Sequence, residues 1–537
     1  MRWLCVAVDL YIIAPVLIGG ALIAKLAERY RLPYPIPLIL AGMILAQMMP
    51  LGEIYGEVVG LDLIAQLTLA AVLFYAGLTM NVRELRFSLS SVLLLATLGV
   101  LITSIVAGVT ILMFSAIGLV AYLIGAILSP TDPAALFSVL ESGGVHIKRK
   151  ILSILEGEAV FNDATAVVLV ITVFTPFVIP ELTVPLPVVF LEFILSMVVG
   201  VIIGLGVAYS IGHIINRAGE DTMVSILTAT TPILAYGLGE LFAPFGLHPG
   251  ALASVFAGMF MANARHIGVR PLPQKSMRGA MKNVSFAFEI VVFILLGATV
   301  DLNFIVASEG ILVLGLVTSA LVILLARPVA VFLVTAHDRA MTWKGRFFVS
   351  WAGVKGVASA ALAAISVSAI TSYQIPDYVE IGRMINAIVF IVLMVSLVVQ
   401  GFTTPFLAKW LGLVEHIDAA RELTAQRDAT RQALLHLVDM YTEGKIDSQL
   451  YSRLKAELEE EIFQLEDELR RLISEKRARL RELEVREEIL RAKLEFFKKQ
   501  YEAGRLDDSA FERQRKDLEA EIEEVITRKN TLAQGGA

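Results

Sequence analysis

Apolar runs of ~18 to 25 residues recur from Leu10 to Leu411, each long enough to cross a ~30 Å hydrocarbon core as a helix. They begin near Leu10, Ile36, Leu63, Ser90, Ile117, Ile151, Val188, Thr222, Pro249, Val284, Gly310, Phe347 and Met384, which predicts about 13 membrane-spanning helices. The first run has the look of a secretory leader. No small-residue cleavage site follows it and many further runs do, so it reads as a retained helix. Beyond Glu415 the pattern changes to Glu, Arg, Lys and Leu with long helical periodicity. The expected division is residues 1–414 for an all-α polytopic membrane domain and 415–537 for a helical tail.

Loop charge orients the spans. Loops after odd-numbered spans carry Lys25, Arg29 and Arg31; Arg83 and Arg86; Lys148, Arg149 and Lys150; Arg217; Arg265, Arg270, Lys275, Arg278 and Lys282; and Arg339, Lys344 and Arg346. Loops after even-numbered spans carry Glu53, Glu57, Asp62, Glu181, Glu240, Asp301, Glu309, Asp377 and Glu380, with Arg383 their single basic residue. The positive-inside rule then predicts an outside N-terminus and a cytoplasmic tail. Gaining or losing a middle helix would scramble this alternation.

The membrane part contains a repeat. Ala41-Gly42-Met43-Ile44-Leu45-Ala46-Gln47 in span two resembles Ala257-Gly258-Met259-Phe260-Met261-Ala262-Asn263 in span nine. Gly77-Leu78-Thr79-Met80-Asn81-Val82, ending span three, resembles Gly297-Ala298-Thr299-Val300-Asp301-Leu302, ending span ten. Both offsets equal seven spans. An odd offset gives the copies opposite topology, the inverted repeat of secondary transporters. The tail repeats as well: Tyr441, Gly444, Lys445, Ile446, Asp447, Tyr451, Arg453, Leu458 and Ile462 answer to Tyr501, Gly504, Arg505, Leu506, Asp507, Phe511, Arg513, Leu518 and Ile522. Each copy predicts helix, Gly-centred turn, Asp cap and helix, and the tail is expected to form helical hairpins or a coiled coil.

Composition sharpens the picture. The 537 residues are 56% hydrophobic and only 18% charged, with mean hydropathy +0.73, against roughly 25% charged in a typical soluble chain. Of 45 Lys and Arg, 23 follow Trp410, so the membrane part is more apolar than the mean. A net charge of -6 gives no reason to expect nucleic-acid binding. The single cysteine, Cys5, excludes an intramolecular disulfide and a CxxC metal site. No nucleophile–base pair, metal constellation or Gly-rich nucleotide motif stands out, so neither an enzyme nor a cofactor is expected.

The candidate chemistry lies where an inverted-repeat transporter keeps its site, in corresponding interrupted helices near the midplane. Ser129-Pro130-Thr131-Asp132-Pro133 breaks span five, and the prolines free backbone groups around Thr131 for a ligand. Seven spans later Gly353-Val354-Lys355-Gly356 places a lone lysine between glycines. Span six carries Glu156, Glu158, Asn162 and Asp163. Glu158 and Asn162 share a helix face, and Asp163 lies one residue round, ~20 Å along the helix. Glu156, nearer the cytoplasmic end, is either part of the site or only a funnel or capping charge. An unpaired mid-membrane carboxylate costs at least ~2.5 kcal/mol, which points to function at Asp163. Arg327 in span eleven cannot give up its proton and reads as charge compensation; Lys355 can lose one and take part. Carboxylates and freed carbonyls suit a hard monovalent cation. Desolvation favours a protonated carboxylate and a nearby Arg an ionised one, so competition of cation and proton for one site suffices for antiport.

These motifs, with Glu156-Gly157-Glu158-Ala159-Val160-Phe161-Asn162-Asp163, Ala326-Arg327-Pro328 and Trp351-Ala352-Gly353-Val354-Lys355-Gly356, resemble the monovalent cation/proton antiporter family. The resemblance is to its NhaP-type sodium/proton branch, related to animal sodium/proton exchangers, and reaches about Leu411. It implies that Asp163 binds cation and proton beside Asn162, that Thr131 and Asp132 contribute from the broken helix, and that Arg327 pairs with Glu158. Asp163, Glu158 and Thr131 would then be the monovalent-cation ligands, with Arg327 and Lys355 compensating charge. It further implies one-for-one electroneutral exchange of Na+ for H+ at the cell membrane, a six-helix core moving against a dimerisation domain, and a lipid-embedded homodimer.

Three positions depart from the family pattern: Ala159 where Ser is frequent, Tyr75 where a Glu is frequent, and Lys355 where Arg is usual. Losing two oxygen ligands makes potassium an alternative to sodium or lithium. A transporter-like sensor signalling through the tail is a second alternative.

Overall fold

The computed structural model describes every residue except 1, 31, 49–60, 87, 116, 133–139, 141–146, 180–184, 219–220, 265–271, 339–340, 415–418, 503–506 and 535–537. Pro133, Glu53, Glu57, Glu181, Arg265, Arg270, Arg339, Gly504, Arg505 and Leu506 thus lie outside the described residues. Those that are described form helices and one isolated bridge, Ile147 with Val414. Two compact units emerge, Met1–Val414 and Glu415–Ala537.

The first unit contains α1 (Arg2–Arg29), α2 (Pro35–Met48), α3 (Leu61–Thr79), α4 (Leu89–Phe114), α5 (Val120–Ile127), α6 (Lys150–Val178) and α7 (Leu186–Ala218). It continues with α8 (Asp221–Glu240), α9 (Gly250–Asn263), α10 (Gln274–Thr299), α11 (Gly310–His337), α12 (Trp343–Trp351), α13 (Val357–Ser372) and α14 (Tyr378–Trp410). Among the described residues, helices α3, α4, α6, α7, α8, α10, α11 and α14 are each long and apolar enough to cross a membrane alone, and α2, α9 and α13 are shorter apolar helices. All thirteen expected spans coincide with helices, the fifth as α5 and the twelfth as the two pieces α12 and α13. Apolar side chains point outward as well as inward: Phe190 and Ile202 on α7 are 64% and 65% exposed, the pattern of a helix solvated by lipid.

The repeat glycines explain how the copies pack. A β-carbon on Gly42 of α2 would lie 2.0 Å from the Ile294 carbonyl oxygen of α10, and one on Gly297 would lie 2.0 Å from that of Ile39. In the other copy, Gly258 of α9 would meet the Phe74 carbonyl of α3 at 2.1 Å, and Gly77 that of Val255 at 2.3 Å. Gly42 corresponds to Gly258, Gly297 to Gly77, and the carbonyl partners correspond in the same way. Each helix pair therefore touches backbone to backbone at one reciprocal crossing, which tolerates no side chain. The two crossings are a single structural unit used twice in inverted order.

Three π turns interrupt the helices around the breaks: Leu95–Gly99 in α4, Leu169–Phe174 in α6 and Val322–Ala326 in α11. The last ends one residue before Arg327. A π turn adds a residue to a helical turn and re-aims the side chains beyond it, a common device near functional groups.

The second unit holds α15 (Ala419–Thr442), α16 (Ser448–Glu502) and α17 (Asp508–Gln534), with α15 and α17 each packed on α16. In the first elbow Gly444 takes the left-handed conformation that lets a helix stop, and Asp447 Oδ1 accepts the Leu450 amide at 2.8 Å. Tyr441 stacks on Tyr451 at 4.3 Å, and in the second copy Tyr501 stacks on Phe511 at 4.5 Å. Leu490, Leu518, Ile522 and Val525 form the small core between α16 and α17.

Candidate functional site

Proline at position 130 cannot donate to the preceding turn, so α5 stops at Ile127 and its end is closed locally: the Ser129 amide and hydroxyl both donate to the Ala126 carbonyl, at 3.1 and 2.7 Å. Residues 129–132 run non-helically past the gap between α12 and α13. The two breaks cross there, with the Asp132 amide donating to the Val354 carbonyl at 2.7 Å. Each break then serves the helix end of the other. The Asp132 carboxylate lies at the N-terminus of α13, where the Val357 amide approaches Oδ2 at 3.4 Å. Lys355 Nζ donates to the carbonyls of Ser129 and Pro130 at 3.3 and 3.1 Å, beyond the C-terminus of α5. A negative group at a helix N-terminus and a positive one at a C-terminus both oppose the local partial charge. Both side chains are over nine-tenths buried.

α6 passes beside this crossing. Asn162 Nδ2 donates to Thr131 Oγ1 at 2.7 Å, tying α6 to the first break. Asn162 Oδ1 and Asp163 Oδ1 are both buried and have no hydrogen-bond partner among the described residues. Buried polar atoms are nearly always satisfied, so two such oxygens on adjacent residues make this a candidate ligand site. One helical turn back, Arg327 binds Glu158 fork to fork: Nη1 to Oε1 at 2.5 Å and Nη2 to Oε2 at 3.2 Å, with both residues at most 2% exposed. Gly353 makes room for this guanidinium, since a β-carbon there would sit 2.4 Å from Arg327 Nε.

A cavity of about 230 Å³ runs alongside. Thr79 and Met80 at the end of α3 and Glu156 early in α6 line it, as do Ala159, Asp132, Asp163, Tyr75 and Glu289. Glu156 lies ~9 Å and Asp163 ~20 Å along α6 from Lys150, so the cavity leads inward from the side of the odd-numbered loops. Of the sequence candidates, Asp132, Glu156 and Asp163 line this space. Thr131 and Asn162 are bonded to each other, Glu158 is occupied by Arg327, and Lys355 is occupied by the end of α5. Among the described residues no three His, Cys, Asp or Glu side chains converge as a multivalent metal site. The carboxylates that line the cavity are those of Asp132, Glu156, Asp163 and Glu289.

Two groups of residues escaped the sequence reading. Glu289, in mid α10, lines the cavity and accepts the Tyr34 hydroxyl at 2.5 Å. An ionisable residue inside an apolar span is the signal that points to it. On α14, Ser396 Oγ accepts the Lys355 amide at 2.9 Å and donates to Gln400 Oε1, while Gln400 Nε2 donates to the Trp351 carbonyl at 2.7 Å. Their signal is a polar pair at i, i+4 in an otherwise apolar helix. They satisfy the backbone groups that the break between α12 and α13 sets free.

Inverted repeats whose broken helices cross at a buried charged site define the secondary-transporter class. Residues 15–410 match the family described as "Sodium/hydrogen exchanger, transmembrane", and the chain belongs to that family. It is similar to the Na(+)/H(+) antiporter ApNhaP of Aphanothece halophytica, 27% identical over 440 residues covering 79% of each chain. It is also similar to the K(+)/H(+) antiporter NhaP2 of Shewanella baltica, 26% identical over 384 residues, covering 71% of this chain and 63% of that one. Among solved structures, the sodium proton antiporter MjNhaP1 of Methanocaldococcus jannaschii superposes with a TM-score of 0.65 at 23% identity, covering 74% of this chain and 99% of that one. That likeness establishes the fold.

Proposed function

We propose that this protein is a secondary active antiporter that exchanges a monovalent cation, sodium by preference, for a proton across the cell membrane. The observation that carries the reading is Asp163: buried to 7% exposure, facing the cavity, with one carboxylate oxygen unpartnered among the described residues. A carboxylate in that position takes either a cation or a proton, and mutual exclusion of the two makes exchange obligatory. Thr131 and Asn162 orient it, Asp132 adds oxygen ligands from the break, and Glu158 is held in place by Arg327. Lys355 holds the ends of the crossing helices. Exchange is one for one and electroneutral. The protein works as a homodimer with its N-terminus outside and its tail in the cytoplasm, alternating access by movement of the helices around the crossing. The tail links or regulates the protomers. Support comes from family membership and from relatives named as Na(+)/H(+) antiporters.

Potassium/proton exchange is the second reading. Ala159 and Tyr75 both line the cavity and contribute no carboxylate to it, which suits a larger cation with weaker demands on its ligands. A relative named as a K(+)/H(+) antiporter supports it. Reconstituted exchange with sodium, lithium and potassium across pH, with and without an ionophore clamp, distinguishes ion and stoichiometry together. Asp163→Asn should abolish cation-driven proton movement while the protein still elutes as a folded species. Normal exchange in that variant overturns the assignment.

A further inference from the structure

We infer that Glu289 is a second cation ligand of the transport cavity, contributed by α10 to the space that Asp163 lines from α6, with its Oε2 engaged by the Tyr34 hydroxyl. Glu289 lies on α10, 15 residues from its start at Gln274 and 10 from its end at Thr299, which places it ~22 and ~15 Å from the two helix ends. Nothing in the architecture of α10 calls for a charge at that depth, where an ionisable side chain is costly unless it is used. The side chain faces the same cavity as Asp163 and Asp132.

Its geometry is preset. The Tyr34 hydroxyl donates to Glu289 Oε2, and the Tyr34 ring is wedged edge-on between Phe286 and Phe293, at 5.7 and 6.3 Å, one turn to either side of Glu289. A second, independent observation points to a ligand in this space: Asp163, more than nine-tenths buried, lines it from α6 and has a buried Oδ1 without a hydrogen-bond partner among the described residues. A monovalent cation between two carboxylates in a narrow cavity gains attraction from both, and much more than it would in open water. The two carboxylates stand on different helices. α10 packs chiefly against α1, α2, α3 and α8, and α6 chiefly against α4, α5, α7 and α9, with α3 touching both. A cation bridging them is held by ligands from two helices.

The inference rests on the antiport reading, and the test separates the two. Wild type, Glu289→Gln and Tyr34→Phe are reconstituted in proteoliposomes and the apparent KM for Na+ and for K+ is measured at fixed pH. Glu289→Gln should raise KM about fivefold for the preferred cation, with the loss falling on KM more than on maximal rate. Tyr34→Phe should lower KM about twofold, because the hydroxyl no longer competes with the cation for Oε2. If Glu289 were only an anchor for Tyr34, the Gln amide oxygen would still accept the hydroxyl and KM would stay unchanged in Glu289→Gln, whatever Tyr34→Phe does. Shifts in the same direction, or an unchanged KM in Glu289→Gln, overturn the proposal. Should Glu289→Gln fail to fold, a lowered KM in Tyr34→Phe supports the proposal and a raised or unchanged one overturns it. Wild type that exchanges no cation would instead sink the antiport reading.

Discussion

Asp132 fills the space that a side chain at position 356 would need. A β-carbon on Gly356 would stand 2.0 Å from Asp132 Oδ2 and 2.2 Å from its Cβ. The glycine that opens α13 is therefore the floor on which the carboxylate of the other broken helix rests. No rotation of Asp132 about its own χ angles relieves a clash with its β-carbon.

Gly356→Ala should then push the first break away from the second. The Asp132 amide would lose its 2.7 Å bond to the Val354 carbonyl, and the N-terminus of α13 would lose its counter-charge. Exchange in proteoliposomes should fall at least tenfold, a loss of about 1.4 kcal/mol or more in transition-state terms. Wild-type exchange by this variant would show that the two breaks move apart without cost.

The Glu158–Arg327 pair makes a different kind of prediction. Both groups have left water, and their mutual bonds repay that cost only while both are present. Replacing either alone leaves a buried charge, and breaking such a pair typically costs about 3–5 kcal/mol. Glu158→Leu and Arg327→Met should each lower the melting temperature in detergent strongly, and combining them should recover much of the loss. Double-variant damage equal to the sum of the singles would mean that the pair has no coupling.

Much of this arrangement is legible in the chain itself, for physical reasons that differ by residue. The spans are readable because hydrocarbon demands long apolar helices. The reciprocal crossings at Gly42, Gly77, Gly258 and Gly297 are readable because a backbone contact admits only glycine, and the repeat preserves it. Proline and glycine announce the two breaks. Which helix end each charged residue faces is not readable: Asp132 answers to α13 and Lys355 to α5, contacts separated by some 225 positions. Tyr34 and Glu289 are likewise 255 positions apart, and no local pattern joins them. Ser396 and Gln400 act on backbone groups of another helix, which leaves no trace in the identity of their partners.

The Thr131–Asn162 bond predicts a contrast between two small substitutions. Thr131→Ser keeps an oxygen 2.7 Å from Asn162 Nδ2, whereas Thr131→Val keeps the volume and removes the acceptor. An unsatisfied buried amide costs about 1–3 kcal/mol. Asn162 would turn to find another partner, and the adjacent Asp163 would turn with it. Serine should therefore support cation exchange with a KM close to wild type, and valine should raise KM about tenfold. Equal behaviour of the two variants would assign Thr131 a packing role instead.

In the tail, Glu487 of α16 accepts hydrogen bonds from Lys529 of α17 at 2.5 Å and from Arg491 at 2.8 Å. These two cations hold its carboxyl below the usual carboxylate range. Because the folded-state value is the lower one, the stabilisation is present above the ordinary carboxylate pKa and is lost as the pH falls through the depressed value. The packing of α17 on α16 should accordingly weaken below about pH 4.5. It should weaken at neutral pH in Glu487→Gln, which cannot carry the charge. Limited proteolysis of the full-length protein reads this, because a loosened α17 exposes Leu518, Ile522 and Val525, now buried against Leu490. Cleavage within 508–534 that accelerates equally on acidification in wild type and Glu487→Gln would place the acid-sensitive contact elsewhere in the tail.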